Sequence, residues 1–296
     1  MSADRRGWFH RDEPLNCGED DSFLSPRLRV TRDSEKFAPL GRPKRIWAIG
    51  AVLGEVGRVA ALHDHIAAQF RPGDRLVYLG NLIGRSDRLH ALVDEVLAMR
   101  RALIARPGVL ATDVVFLRGA QEEMWQKMLQ LQFAPNPQDV LRWMLAQGVE
   151  GTLLAYGGRP EEGMAAAREG AIRLTRWTNG LREAMRAAPG HNALYAALRR
   201  AAFTGDNGIL FVSAGIEPSR PLAAQGDAFW WSAAGFAGLS EPYAGFRRLI
   251  RGFDPAGGGL RLDGPAVTLD AGSGRGGRLA AGLFDPDGTL VEVVEA

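Results

Sequence analysis

A chain of 296 residues, 46% hydrophobic and 24% charged, holds enough apolar material for the core of one large domain or two small ones, and reads as globular. Its 36 Lys and Arg nearly cancel 34 Asp and Glu to leave +2, too even a balance to argue for nucleic-acid binding. No apolar run approaches the roughly 18–20 residues that cross a bilayer, so no membrane span is expected.

The first stretch, MSADRRGWFH, lacks the apolar core of a secretory signal, which points to a cytoplasmic protein. Residues 1 to about 43 mix charges with Pro14, Pro26, Pro39 and Pro43 and show no sustained apolar period, so a loosely ordered arm is expected there. Trp8, Phe9, Phe23 and Leu24 are the side chains that would dock it. Cys17 is the sole cysteine, which excludes an internal disulfide and a cysteine metal cage. Any metal would need histidine and carboxylate ligands.

The folded domain is expected over 44–296. Ile46 to Ile49 reads as a buried strand closed by Gly50, and Val56, Val59, Leu62, Ile66 and Phe70 recur at helical spacing before Arg71-Pro72-Gly73-Asp74 breaks the run. The unit repeats with a strand at Leu76 to Leu79, a helix carrying Leu89, Leu92, Val93, Val96 and Leu97, and a third strand at Val114 to Leu117. Alternation of this kind predicts a parallel sheet with its chemistry in the loops after the strand C-termini. A mostly helical insertion is expected at about 122–202, including Met164 to Ala171, Leu174 to Ala187 and Asn192 to Phe203. Strands return at Ile209 to Val212, Arg248 to Ile250, Ala266 to Leu269, Leu279 to Phe284 and Thr289 to Val294, a count that suits two sheets face to face with helices outside.

Five loops close these strands: Gly50-Ala51-Val52-Leu53-Gly54, Gly80-Asn81-Leu82-Ile83-Gly84-Arg85-Ser86, Arg118-Gly119-Ala120-Gln121-Glu122, Val212-Ser213-Ala214-Gly215 and Arg251-Gly252-Phe253-Asp254. In order and spacing they resemble the signature loops of the calcineurin-like metallophosphoesterases, in the branch of serine/threonine protein phosphatases and bacterial dinucleoside-tetraphosphatases. That family reads Gly-Asp-x-His-Gly, Gly-Asp-x-x-Asp-Arg-Gly, Gly-Asn-His-Glu, His-Ala-Gly and Gly-His-Thr or Gly-His-Asp. The flanks Arg71 to Gly80, Val115 to Gly119, Ala214 to Pro221 and Thr268 to Gly272 extend the match, which covers about 45–294. The resemblance implies an α/β fold, a two-sheet αββα sandwich with a helical insertion.

It also implies a dinuclear metal site, and there the sequence departs. Ala51, Leu53, Asn81, Gly84, Ala120, Gln121, Ser213 and Phe253 stand where the family has its ligands, and none is a carboxylate or an imidazole. His10, His63, His65, His90 and His191 lie elsewhere. Two divalent cations about 3.5–4 Å apart need anionic bridges and tightly placed imidazoles, and neutral amide or hydroxyl oxygens supply neither. Loss of the metals also favours loss of the carboxylates, which would repel one another without cations. The expectation is therefore a pseudophosphatase with no catalytic residue, no metal and no cofactor, acting as a binding or regulatory module for a protein partner or a phosphorylated ligand. The alternative is an active phosphoesterase with a relocated or reduced site drawn from Asn81, Gln121, Glu122, Glu123, Asp254 or Glu55. Arg85 matches the family's phosphate-binding arginine and Arg118 keeps the arginine before the third loop. Each either binds an anion or pairs with an acid such as Asp87, Glu122 or Glu123.

Other signals carry less. Gly272 to Gly277 fits a dinucleotide-binding glycine pattern, but a strand rather than a helix is expected after it, so a plain loop is predicted. His63 and His65 are two apart on a predicted helix, point in different directions and are read as surface residues. Ser213 lacks an activating partner by motif, and Trp230 and Trp231 read as packing aromatics.

Overall fold

The computed structural model describes residues 36–296. Among them, two five-stranded sheets lie face to face between outer layers of helices. The first sheet runs in the order β10 (Leu290–Glu295), β9 (Ala280–Phe284), β2 (Ile46–Ile49), β3 (Arg75–Tyr78) and β4 (Val114–Phe116); β2, β3 and β4 are parallel to one another, and β9 is antiparallel to β2. The second runs β1 (Phe37–Pro39), β5 (Ala201–Phe203), β6 (Ile209–Val212), β7 (Arg248–Arg251) and β8 (Ala266–Thr268). Strand alternation explains the layering. Ile46, Ala48, Val77, Leu79, Phe211, Ile250, Val267 and Phe284 fill the space between the sheets, while Trp47, Ile49, Leu76 and Tyr78 face outward.

Helices α1 (Val56–Gln69) and α2 (Leu89–Ile104) cover the outer face of the first sheet, burying Val59, Leu62 and Ile66 from one and Leu92, Val93 and Val96 from the other. Phe229, Trp230 and Phe236, from the short helices α9 (Ala228–Trp231) and α10 (Ala233–Ala237), cover Leu210, Val212 and Leu249 of the second. Between the two halves, α3 (Ala120–Met128), α4 (Pro137–Ala146), α5 (Glu150–Ala155), α6 (Pro160–Glu169), α7 (Ala171–Ala187) and α8 (His191–Ala197) form the helical insertion.

Three local expectations change. The helix expected through Phe203 stops at Ala197, because Arg199 N–H donates to Phe116 O at 2.9 Å and Arg200 N–H to Lys36 O at 2.7 Å, committing the next residues to β5. Sheet pairing overrides the alanine-rich local preference for helix. The helix expected over Met164 to Ala171 divides at Gly170, whose φ of 104° lies outside the helical region and separates α6 from α7. Phe37–Pro39, counted with the expected arm over 1–43, pairs in parallel with Ala201–Phe203 as an edge strand; residues 1–35 of that arm lie outside the described residues.

His63 is not a surface residue: it is 3% exposed, with Nδ1 2.6 Å from Glu95 Oε1 and Nε2 2.8 Å from the Tyr78 hydroxyl. A polar chain, Glu95–His63–Tyr78, thus runs through the packing at that point, and burial pulls the His63 pKa down. A second buried histidine, His191, anchors the insertion through a 2.6 Å contact between its Nδ1 and the Tyr156 hydroxyl. Burial, followed by the neighbouring His90 and partly offset by Asp94, lowers its pKa to about 4. A neutral folded-state histidine gains protons only in the unfolded chain between pH 6.5 and about 4, so its contribution to stability is present above 6.5 and lost as pH falls through that window. The expected outcome is that the His191 ring titrates near pH 4 by NMR, and that His191→Gln flattens the loss of urea stability between pH 6.5 and 4 relative to the parent chain.

Candidate functional site

The five loops meet at one end of the sandwich, held to one another mainly through backbone. Leu53 N–H donates to Asn81 O at 2.8 Å and Gly54 N–H to Leu82 O at 2.9 Å, joining the first loop to the second. Ala51 N–H reaches Gly252 O at 2.9 Å, and the amides of Gly252 and Phe253 both donate to Ser213 O, at 3.1 and 3.0 Å, tying in the fourth and fifth loops. The second and third loops are joined by Glu122. Its Oε2 accepts from Asn81 N at 2.9 Å and Gly119 N at 2.8 Å, and its Oε1 accepts from Ile83 N at 3.1 Å. This carboxylate is 1% exposed; burial raises its pKa, and the three amide donors pull it back down.

The geometry thus brings Ala51, Leu53, Asn81, Gly84, Ala120, Gln121 and Ser213 together, all buried, with Phe253 half-buried beside them. Ala51, Leu53, Ala120 and Phe253 offer no donor atom. Asn81 Oδ1 already accepts from Gln121 N at 3.0 Å, and Gln121 Nε2 donates to Gln147 O at 2.9 Å. Three buried polar atoms in this cluster, Asn81 Nδ2, Gln121 Oε1 and Ser213 Oγ, have no hydrogen-bond partner. The room for restored ligands is also taken. At Gly84 a Cβ would lie 2.5 Å from Gln121 Oε1. Phe253 is capped by Arg275, whose guanidinium carbon sits 5.3 Å from the ring centre.

The residues present therefore do not fit a pair of divalent metals: the donor set is neutral, largely committed to other bonds, and interrupted by hydrocarbon. Among the described residues, no group of three or more His, Cys, Asp or Glu is placed to hold a metal ion.

The two arginines part company. Arg118 pairs with Glu123 at 3.1 Å and faces a separate small cleft. Arg85 is exposed, has no ion pair among the described residues, and lines a cavity of about 690 Å³ with Leu53, Glu55, Asp87, Arg88 and Glu150. Leu53, Asn81 and Arg85 all hold left-handed backbone, with φ of 51°, 50° and 52°, a costly conformation for residues with side chains.

Comparison with known proteins bears on the fold. The two-sheet architecture is similar to that of a cold-active protein tyrosine phosphatase, with a TM-score of 0.51 and 12% identity over 95% of this chain and 87% of that one. The chain shares the α/β fold of that protein, two mixed sheets packed between helices. Weaker structural matches are a serine/threonine phosphatase from Saccharomyces cerevisiae (TM-score 0.46, 15% identity, 91% and 87% of the two chains) and a metallophosphoesterase from Sphaerobacter thermophilus (0.39, 15%, 85% and 88%). At these identities the similarity speaks for the fold alone. No protein-family profile and no curated protein matches the sequence.

Some side-chain roles escape the sequence reading, whereas the Gly272 to Gly277 loop followed by a strand and the packed Trp230 agree with it. Glu122 is a brace rather than a spare acid, and only its survival as the last residue of the third loop hints at this. Asp254 is engaged by Arg251 at 3.1 Å and by the amides of Ala256 and Gly258, while Asp270 is held by Arg275 at 2.6 Å. The Gly272 to Gly277 turn leads through Arg278 into β9 rather than into a helix, and Ser273 Oγ donates to Val52 O at 2.9 Å, so it supports the first loop. Trp230 packs in the core and its Nε1 donates to Arg118 O at 2.9 Å.

Because the Glu122 carboxylate meets three amide donors, Glu122→Gln would turn an NH₂ group toward at least one of them. The expected cost is about 1–3 kcal/mol of folding stability, measured by urea denaturation. Because burial raises the folded-state pKa, the unfolded chain releases the Glu122 proton first as pH rises, so the parent chain should lose some of its stability advantage over the variant between the unfolded and folded pKa values.

Proposed function

We propose that this chain is a noncatalytic binding or regulatory protein built on a phosphoesterase scaffold, a pseudophosphatase. One observation carries the reading. The loops still converge with their backbone connections made, yet each position where the family resemblance implies a metal ligand holds a residue unable to play that part. Retention of strained backbone at Leu53, Asn81 and Arg85 supports a role for the loops beyond packing.

The ligand face in this reading is the cavity beside Arg85. Two guanidiniums, Arg85 and Arg88, stand there against three carboxylates, Glu55, Asp87 and Glu150. That balance suits the mixed charge of a protein segment better than a bare phosphate dianion, so a protein partner is favoured over a phosphorylated ligand. The alternative of a relocated hydrolytic site would need at least two of Glu122, Glu123, Asp254 and Glu55 gathered in one pocket near Arg85 or Arg118. Glu122 is spent on amides, Glu123 on Arg118 and Asp254 on Arg251, leaving Glu55 as the one member of that set in the Arg85 cavity. Their dispersal supports the noncatalytic reading.

The test is elemental analysis of untagged protein after incubation with Mn, Mg, Zn, Fe or Co, with a phosphate-monoester and a dinucleoside-tetraphosphate assay on the same samples. The expected outcome is metal far below one ion per chain and hydrolysis at the buffer rate. Near-stoichiometric dinuclear loading accompanied by turnover would overturn the proposal.

A further inference from the structure

The second, third and fourth loops meet around one close backbone approach. A Cβ at Gly80 would lie 2.8 Å from both Gly119 N and Ser213 Oγ, and one at Gly119 would lie 2.5 Å from Asn81 Oδ1. Glycine at these two positions lets the Asn81 and Ser213 side chains press against the same backbone contact. Gln121 joins them through its N–H, which donates to Asn81 Oδ1 at 3.0 Å. Asn81 and Ser213 are 0% exposed and Gln121 5%. Each keeps one polar atom without a hydrogen-bond partner: Asn81 Nδ2, Gln121 Oε1 and Ser213 Oγ. Buried polar atoms in folded proteins are nearly always satisfied, by protein or by internal water, so three at one junction point to a guest.

Existing bonds fix what each atom can do. Asn81 Oδ1 accepts from Gln121 N, so turning the Asn81 amide over would set two donors against each other. Gln121 Nε2 donates to Gln147 O at 2.9 Å, so turning that amide over would set two acceptors against each other. The junction therefore presents a committed donor on Asn81, a committed acceptor on Gln121 and a hydroxyl on Ser213 that does either. A cation would meet the Asn81 NH₂ group and an anion the Gln121 carbonyl, and each would lose hydration with no opposite charge offered in return. The nearby Glu122 carboxylate is already taken up by three amides. A neutral molecule that both donates and accepts satisfies all three atoms. None of the three residues lines the Arg85 cavity or the cleft at Arg118, so the guest is a small one.

We propose that internal water occupies this junction, accepting from Asn81 Nδ2, donating to Gln121 Oε1 and sharing a hydrogen bond with Ser213 Oγ. Buried water with two to four polar partners is a lasting part of a fold and is costly to remove. Here it links the second, third and fourth loops through their side chains, and the groups that hold it reject ions of either sign. The inference rests on the noncatalytic reading of these loops and goes beyond it by naming the occupant their side chains select.

The test uses full-length chain dialysed against a chelator and checked by elemental analysis, crystallised and soaked in thallium(I) or in bromide. The expected result is a density peak about 2.7–3.2 Å from Asn81 Nδ2 and from Gln121 Oε1 or Ser213 Oγ, with no anomalous signal there in either soak. In solution, the Asn81 side-chain amide protons should show a water cross-peak whose NOE and ROE have opposite signs, the mark of long-resident water. That cross-peak should persist in Ser213→Ala, where no hydroxyl can relay solvent exchange. Three results overturn the proposal: no peak at the junction, the three side chains bonded directly to one another, or thallium or bromide bound there. Metal loading with turnover in undialysed chain would overturn the noncatalytic reading instead, and the chelated crystals still decide for or against water.

Discussion

A single buried carboxylate holds the loop end of this molecule in shape. Glu122 collects the amides of Asn81, Ile83 and Gly119, and without it three N–H groups in a water-poor space would lack acceptors. The second and third loops follow β3 and β4, parallel neighbours in the first sheet, and their relative placement depends on this contact as much as on strand pairing. The charge is tolerated because the three donors offset what burial costs it, a balance visible in opposing pulls on its pKa. Gly119 contributes by its lack of a side chain, since a Cβ there would lie 2.4 Å from Asn81 N.

Around that brace, backbone and side chains have gone separate ways. The backbone bonds that knit the loops are complete, and residues with side chains remain in left-handed conformations. The side chains in the middle are alanine, leucine and neutral amides, with three polar atoms unpartnered. Holding two divalent cations close together takes anionic ligands, and alanine, leucine and neutral amides supply none. Gln121 is informative in this respect. Its side chain occupies the space a Cβ at Gly84 would claim and donates to Gln147 O, so part of the space between the second and third loops is filled by a residue of the third.

Much of the fold was legible because its signals were local. β2 and β6 occur at the predicted residues, and β3, β4, β7, β8, β9 and β10 lie within one residue of prediction at each end. β1 and β5 were missed. Each is three residues long and pairs with a segment far away in the chain, so neither shows enough alternation to stand out. Likewise, His63 was read as a surface residue although it lies four residues after Val59 and three before Ile66 on the buried face of its helix; the tertiary structure supplies its partners, Tyr78 and Glu95. At the site, the sequence placed Ala51, Leu53, Asn81, Gly84, Ala120, Gln121, Ser213 and Phe253 at the loop positions, since loop order follows strand order in such a sheet. It left Arg85 and Arg118 open between anion and acid, and that question turns on distances: Arg118 pairs with Glu123, and Arg85 makes no ion pair among the described residues.

The amino-acid sequence alone determined which atoms are available at the five strand ends, because the chemistry of a ligand set is a matter of residue type: no arrangement gives Leu53 or Phe253 a donor. It also determined the alternation of strand and helix, which local periodicity carries. The tertiary structure alone decided which arginine is free, which carboxylates are committed to holding amides, and which polar atoms of the loops lack a hydrogen-bond partner. Each of these depends on the approach of groups distant in sequence, and electrostatic and hydrogen-bonding partners act over a few ångströms of space whatever their separation along the chain.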